Sequence, residues 1–397
     1  MQKKRLFSQM AAASAVALIL AGCSSSNNNA TTTTLPKVDA LKTLGTGEGQ
    51  VNIVAWAGYV ENGSNDPKVN WVSDFEKETG CKVNVKIGST SDDMVALMKT
   101  GEYDVVSASG DASLRLIYGG DVAPVNTSLV PNYADIFSDL KDQPWNSVNG
   151  VAYGIPHGRG ANLLAYRTDI VKPAPTSWGA VFDANSPYKG KITAYDSPIY
   201  IADAALYLMK TKPELGITYP YALDQTQFDA AIALLKVQKP LIGEYWSDYL
   251  KHVASLKSGG TVLGTTWQVN INLAQSEGVK VVGIKPIEGS TGWSDTWMIS
   301  SKAKHPNCGY MWMNHIVSPK ANAAVAEWFG EAPSNAKACA LTSDKNFCTT
   351  YHAADAAYWK DVYYWNTATQ ACLDGRTDVK CVPYSEWVKA WSSLRNA

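Results

Sequence analysis

The segment TGWSDTWMIS, residues 291–300, sets Asp295 between two indoles, Trp293 and Trp297. Successive side chains of a strand point to opposite faces, so Trp293 and Asp295 share one. A carboxylate held against tryptophan can bind an organic cation. The acid supplies charge and hydrogen-bond acceptors, and each ring face adds about 0.5–2 kcal/mol through cation–π attraction. The competing account is an edge strand whose aspartate faces water. Composition bears on the choice: 14 Trp and 20 Tyr against 7 Phe favour rings with a polar handle, suited to a wet cleft, over plain core fillers.

What positions such a strand begins with what is removed from the chain. Lys3, Lys4 and Arg5 precede the apolar run AAASAVALILAG, which is too short to span a bilayer and reads as a secretory signal over residues 1–22. It ends in LAGC, Leu20 to Cys23, which resembles the bacterial lipoprotein box and so implies lipid on Cys23 after cleavage. The tract SSSNNNATTTT has nothing to bury, and residues 23–49 are expected to form a flexible tether. GTGEGQ follows no strand and reads as linker rather than as a phosphate cradle. No later stretch reaches about 18 uninterrupted apolar residues, so no membrane-spanning helix is expected beyond the signal.

About 350 residues remain, more than one core usually spans, which argues for two lobes. Without residues 1–22 the chain carries 32 basic and 36 acidic side chains, a weak imbalance that argues against a nucleic-acid partner. Six cysteines follow Cys23: Cys81, Cys308, Cys339, Cys348, Cys372 and Cys381. An even count in an exported chain suggests disulfides. Cys339 with Cys348 and Cys372 with Cys381 each bracket a short polar loop, which leaves Cys81 for Cys308 by elimination. Zinc is the alternative, but no pair has C-x-x-C spacing, and His305 alone is too little; no metal or cofactor is expected.

From Val51 the pattern runs strand, helix, strand: VNIVAW, then WVSDFEKETG with Trp71, Val72 and Phe75 on one face, then the alternating CKVNVKI. DDMVALMKTG and YDVVSAS repeat the unit. Beyond the Gly-rich GVAYGIPHGRGANLLAYRTD, helices are expected over YIADAALYLMK, QFDAAIALLK and SDYLKHVASLKSGG, and a strand over TVLGTTW. PKANAAVAEWFG and SEWVKAWSSL close the chain as helices. Alternation of this kind predicts an α/β fold with largely parallel sheets.

VNIVAWAGYV, FEKETGCKVNV, GEYDVVSASGDAS, YGIPHGRGANLLAYRTD, LGTTWQVN and GWSDTWMIS occur in an order that resembles the periplasmic spermidine/putrescine-binding proteins of ABC transporters, over roughly residues 50–397. The resemblance implies a two-lobed type II periplasmic binding protein with a hinge of crossing strands. Residues 50–160 plus 296–397 would form the first lobe and 161–295 the second, with ligand trapped between them. It further implies that Trp56 and Tyr59 stack on the ligand, that Ser109 and nearby Asp111 border it, and that Trp267, Trp293 and Asp295 complete the box. Three rings and one or two carboxylates suffice for the about 8 kcal/mol of micromolar affinity.

Two departures matter. Where relatives carry a second acid near YDSPIY, this chain has Pro198, Ile199 and Tyr200, with Asp196 the remaining candidate, and HGRGAN adds Arg159. Arg159 opens an alternative ligand with one amine and one carboxylate, such as γ-aminobutyrate; its other reading is a salt bridge. No G-x-S-x-G, H-E-x-x-H or P-loop is present, so catalysis is not expected. A ligand-loaded sensor is the third class. The expected partners are a small amine and an ABC permease in the inner membrane, with the protein a monomeric lipoprotein of the periplasm. Changing Cys23 to Ser is expected to move the protein from the membrane fraction to the soluble one; unchanged fractionation contradicts the anchor.

Overall fold

The computed structural model describes residues 35–396. The signal of residues 1–22 and the lipidation candidate Cys23 lie outside the described residues. The chain first builds β1 (Gln50–Ala55), α1 (Val72–Thr79), β2 (Lys82–Ile87), α2 (Ser91–Lys99), β3 (Val105–Ala108), α3 (Gly110–Gly119) and β4 (Val122–Ala123). A hairpin of β5 (Ser147–Val148) and β6 (Val151–Ala152) leads into β7 (Ile155–Ala161). Next come β8 (Leu163–Arg167), α4 (Gly179–Phe182), β9 (Ile192–Tyr195), α5 (Ile201–Thr211), α6 (Gln225–Gln238), β10 (Ile242–Trp246), α7 (Tyr249–Ser258), β11 (Leu263–Thr266), α8 (Gln268–Ser276) and β12 (Val281–Ile284). The last part comprises β13 (Ser290–Ser300), α9 (Pro306–Ile316), α10 (Pro319–Phe329), β14 (Ala332–Pro333), α11 (Phe347–Thr350), α12 (Ala356–Trp359), β15 (Val362–Tyr364) and α13 (Tyr384–Asn396).

These strands form two main sheets. The larger has the order β14-β7-β13-β3-β1-β2, with β4 and β15 also paired to β13; the smaller has the order β10-β9-β11-β8-β12. The chain passes between them twice. Asn162 alone separates β7 from β8, and residues 285–289 separate β12 from β13. This is the expected α/β architecture of two sheets joined by crossing strands. All eleven residues of β13 are buried, so this strand is central and not an edge. Pairing on both sides, with β7 and β3, satisfies its backbone while the apolar WMI end packs in the core.

Two expectations need correction. Residues 35–49 are not a free tether: Leu35, Val38 and Leu41 pack against the core, and Asn126 Nδ2 donates to the Leu41 carbonyl. Glu48 accepts from the backbone N–H groups of Asn307 and Cys308 at the start of α9. That is where a helix presents unpaired donors and favours negative charge. Burial opposes the charged form of Glu48, but these hydrogen bonds outweigh it and its pKa is lowered. The second correction concerns α13, which the sequence reading groups with residues 296–397. It packs on α6, beside the smaller sheet, with Phe228 against Trp387 and the Lys239 ammonium on the Leu394 carbonyl.

All three disulfides join the expected partners, Cys81–Cys308, Cys339–Cys348 and Cys372–Cys381. The first spans 227 residues and ties the start of β2 to α9, whereas each of the others spans 9. In the chain-entropy account, the long link contributes about 5 kcal/mol and each short one about 2–3 kcal/mol. Chemical denaturation of paired Cys→Ala variants is expected to show the larger loss for Cys81/Cys308; a larger loss for either short pair contradicts that ranking.

Candidate functional site

The ends of strands from both sheets converge on one place. Trp56 follows β1, Ser109 follows β3, Tyr195 ends β9, Trp267 follows β11 and Trp365 follows β15. In open α/β sheets the carboxyl ends of parallel strands are where ligand crevices form, because the following loops and helix N-termini leave polar groups there. Trp56, Tyr59, Ser109, Trp267, Trp293, Phe329, Trp365 and Asp295 line a single cavity. Its rings meet edge to face: Trp56 and Trp267 at 6.1 Å between centroids, Trp293 and Phe329 at 5.5 Å. Tyr195 stacks on Trp365 at 5.7 Å. The space among these side chains is about 10 Å³, room for about one water.

Asp295 is the one acid lining this cavity. Ser109 Oγ donates to its Oδ1 at 2.5 Å and Tyr59 OH to its Oδ2 at 2.8 Å. Ser109 caps α3 by position, yet its hydroxyl makes no cap bond and is given to Asp295 instead. Asp295 is 2 % exposed. Burial pushes its pKa up to about 6, against the hydrogen bonds from Ser109 and Tyr59, while the nearby Glu331 charge raises it further and His157 opposes.

Local sequence explains how Trp293 and Asp295 fit. On β7, Gly160 pairs with Trp293 and Gly158 with Asp295, followed by a bulge between Asp295 and Thr296. A Cβ on Gly160 would come within 2.3 Å of the Trp293 indole. The alternating glycines of HGRG therefore open the face that the indole occupies, and a bulge beside a site commonly re-aims the side chain next to it. Asn162, at the first crossing, accepts from Trp267 Nε1 at 3.1 Å and donates to Thr291 Oγ1 at 2.7 Å. One side chain thus couples the smaller sheet's tryptophan to the central strand of the larger.

Three expected ligand residues lie elsewhere. Asp111 turns toward α2, accepting from Ser91 Oγ at 2.7 Å; burial pushes its carboxyl up to about 7. Asp196 receives Arg395 Nε at 3.0 Å and Trp391 Nε1 at 3.1 Å, so the C-terminal helix occupies the one acid left near YDSPIY. Arg159 pairs with Ser294, and side chains alternate, so it leaves β7 on the face opposite Trp293 and Asp295. Its guanidinium bonds Asp139 at 2.7 Å and the Ala353 carbonyl at 2.8 Å, over the Trp359 ring. Sequence reasoning missed Phe329, Trp365 and Asn162 in or beside the box. It also missed Glu331, which lies 3.4 Å from Tyr59 OH.

The chain is similar to several known proteins. Over 335 residues the chain is 23 % identical to spermidine/putrescine-binding periplasmic protein 1 of Haemophilus influenzae, covering 82 % of this chain and 88 % of that one. It is 25 % identical over 303 residues to the putrescine-binding periplasmic protein SpuD of Pseudomonas aeruginosa, covering 72 % and 80 %. A putative spermidine/putrescine ABC transporter structure from Listeria monocytogenes superposes with a TM-score of 0.72 at 19 % identity, over 87 % of this chain and 99 % of the other. A family model described as bacterial extracellular solute-binding protein matches residues 70–356, and with most of its length matched the chain belongs to that family.

Proposed function

We propose that this protein is the extracytoplasmic binding component of an ABC transporter and that it captures a small cationic amine of the putrescine or spermidine kind between its two lobes. The observation that carries the reading is Asp295: a buried carboxylate walled by Trp56, Trp267 and Trp293, with hydrogen bonds from Ser109 and Tyr59. An ammonium supplies the positive charge this arrangement calls for, and the rings cover its alkyl chain while excluding water. Exclusion of water strengthens the charge contact. The relatives whose names carry spermidine or putrescine support the same ligand class.

In this reading residues 50–160 with most of 296–397 form one lobe and 161–295 the other, with Asn162 and residues 285–289 as the hinge. Closure on the amine presents a shape that a membrane permease recognises, and no chemical step is involved. Lipid on Cys23 holds the protein at the membrane. The alternative, an amine that also bears a carboxylate, requires a cation inside the box. Arg159 does not favour it, because the guanidinium is engaged by Asp139 and Ala353 on the opposite face.

Asp295→Asn keeps the shape and removes the charge. Calorimetric titration with putrescine and spermidine is expected to show affinity falling by a hundredfold or more, about 3 kcal/mol. Parent-like binding by the variant contradicts the cation box.

A further inference from the structure

Behind Tyr59 stands a second acid. Asp295 and Glu331 are 2 % and 1 % exposed, and the Tyr59 hydroxyl lies 2.8 Å from one and 3.4 Å from the other. A phenol has one proton to donate, so Tyr59 serves one carboxylate at a time. Room for Glu331 comes from Gly158, where a Cβ would sit 2.7 Å from the carboxyl carbon.

Among the remaining neighbours the nearest basic side chain is His157. His157 Nδ1 accepts the Trp297 indole N–H at 3.0 Å, which fixes the ring's own N–H on Nε2, 3.2 Å from Glu331 Oε1. From α3 the facing group is the Ser109 hydroxyl, from β9 the Tyr195 phenol, and Arg159 leaves β7 on the other face. Among the described residues, no lysine or arginine forms an ion pair with either acid.

We propose that Glu331 is a positioning residue that couples amine capture to proton release at mildly acidic pH: sharing Tyr59 with Asp295 and adding a second negative charge, it widens the pH range in which Asp295 holds a proton that a bound ammonium displaces. In the exchange the carboxyl O–H of Asp295 gives its proton to water, and the alkylammonium keeps all of its own. Burial, aided by Glu331 and opposed by Ser109, Tyr59 and His157, holds Asp295 at about 6. Proton and ammonium compete for one carboxylate, so affinity is full above that pH and falls as pH drops through it. The inference rests on the amine-capture reading.

Putrescine is the probe, because its amines, like a lysine side chain with pKa about 10.4, stay charged throughout the range needed. Calorimetry on the full chain between about pH 5 and 8 is expected to show a plateau at the alkaline end and a tenfold loss per unit below about pH 6. Titration at about pH 5 in two buffers of different ionisation enthalpy should report close to one proton released per putrescine. Glu331→Gln should move the break down by about one pH unit, and Glu331→Asp, which keeps the charge, should leave it near the parent's. A flat parent profile, no proton release, or an unmoved break in Glu331→Gln overturns the proposal alone. No putrescine or spermidine binding by the parent at the alkaline end overturns the amine reading and this inference with it.

Discussion

A carboxylate in the interior that, among the described residues, no lysine or arginine pairs with is the constraint on which this site depends. Removing an ionised acid from water costs several kcal/mol unless hydrogen bonds and an opposite charge replace the solvent. Ser109 and Tyr59 provide the hydrogen bonds for Asp295, and burial nevertheless leaves its pKa raised to about 6. The fold therefore presents an unmet demand for positive charge in a cavity whose other walls are indoles and phenyl rings. The proposed ligand class follows from that demand.

Much of the architecture serves to hold this carboxylate still. β13 runs through the middle of the larger sheet, fully buried, with β7 and β3 on either side. The glycines of β7 let Trp293 lie close to the sheet, and Asn162 at the first crossing joins Trp267 to Thr291. Because the same short segment carries the chain between sheets and touches the site, a change in the angle between sheets moves Trp267 relative to Trp293. In the proposed function, ligand binding and closure are mechanically one event.

The α/β alternation was legible from hydrophobic period, and the disulfide pairing from loop length and elimination. Trp56, Ser109 and Trp267 stand just after strands and Trp293 and Asp295 two apart on one strand, and the structure brings these expected residues, with Tyr59, around one cavity. Asp111, Asp196 and Arg159 lie outside the box for separate physical reasons, and for Arg159 the salt-bridge reading is the one that the pairing with Asp139 matches. Asp111 lies two residues beyond Ser109 but is drawn to Ser91; Asp196 is taken by Arg395, which lies 199 residues away in sequence. Arg159 is on the wrong side of a two-residue alternation, which the pairing with Ser294 settles and which the apolar run alone does not. Trp365, Phe329 and Glu331 come from the last part of the chain, where long-range packing and not local pattern decides which side chains reach the cleft. The polar-to-apolar change after Thr34 was the overlooked signal that residues 35–49 pack against the body.

Natively purified protein, gently denatured and examined by mass spectrometry, tests the central claim most directly, since it identifies what the cleft retains without presupposing a ligand. The account predicts release of a small compound bearing at least one aliphatic ammonium, in roughly equimolar amount with the chain. Retention of an anion or of an uncharged sugar in that amount would contradict it.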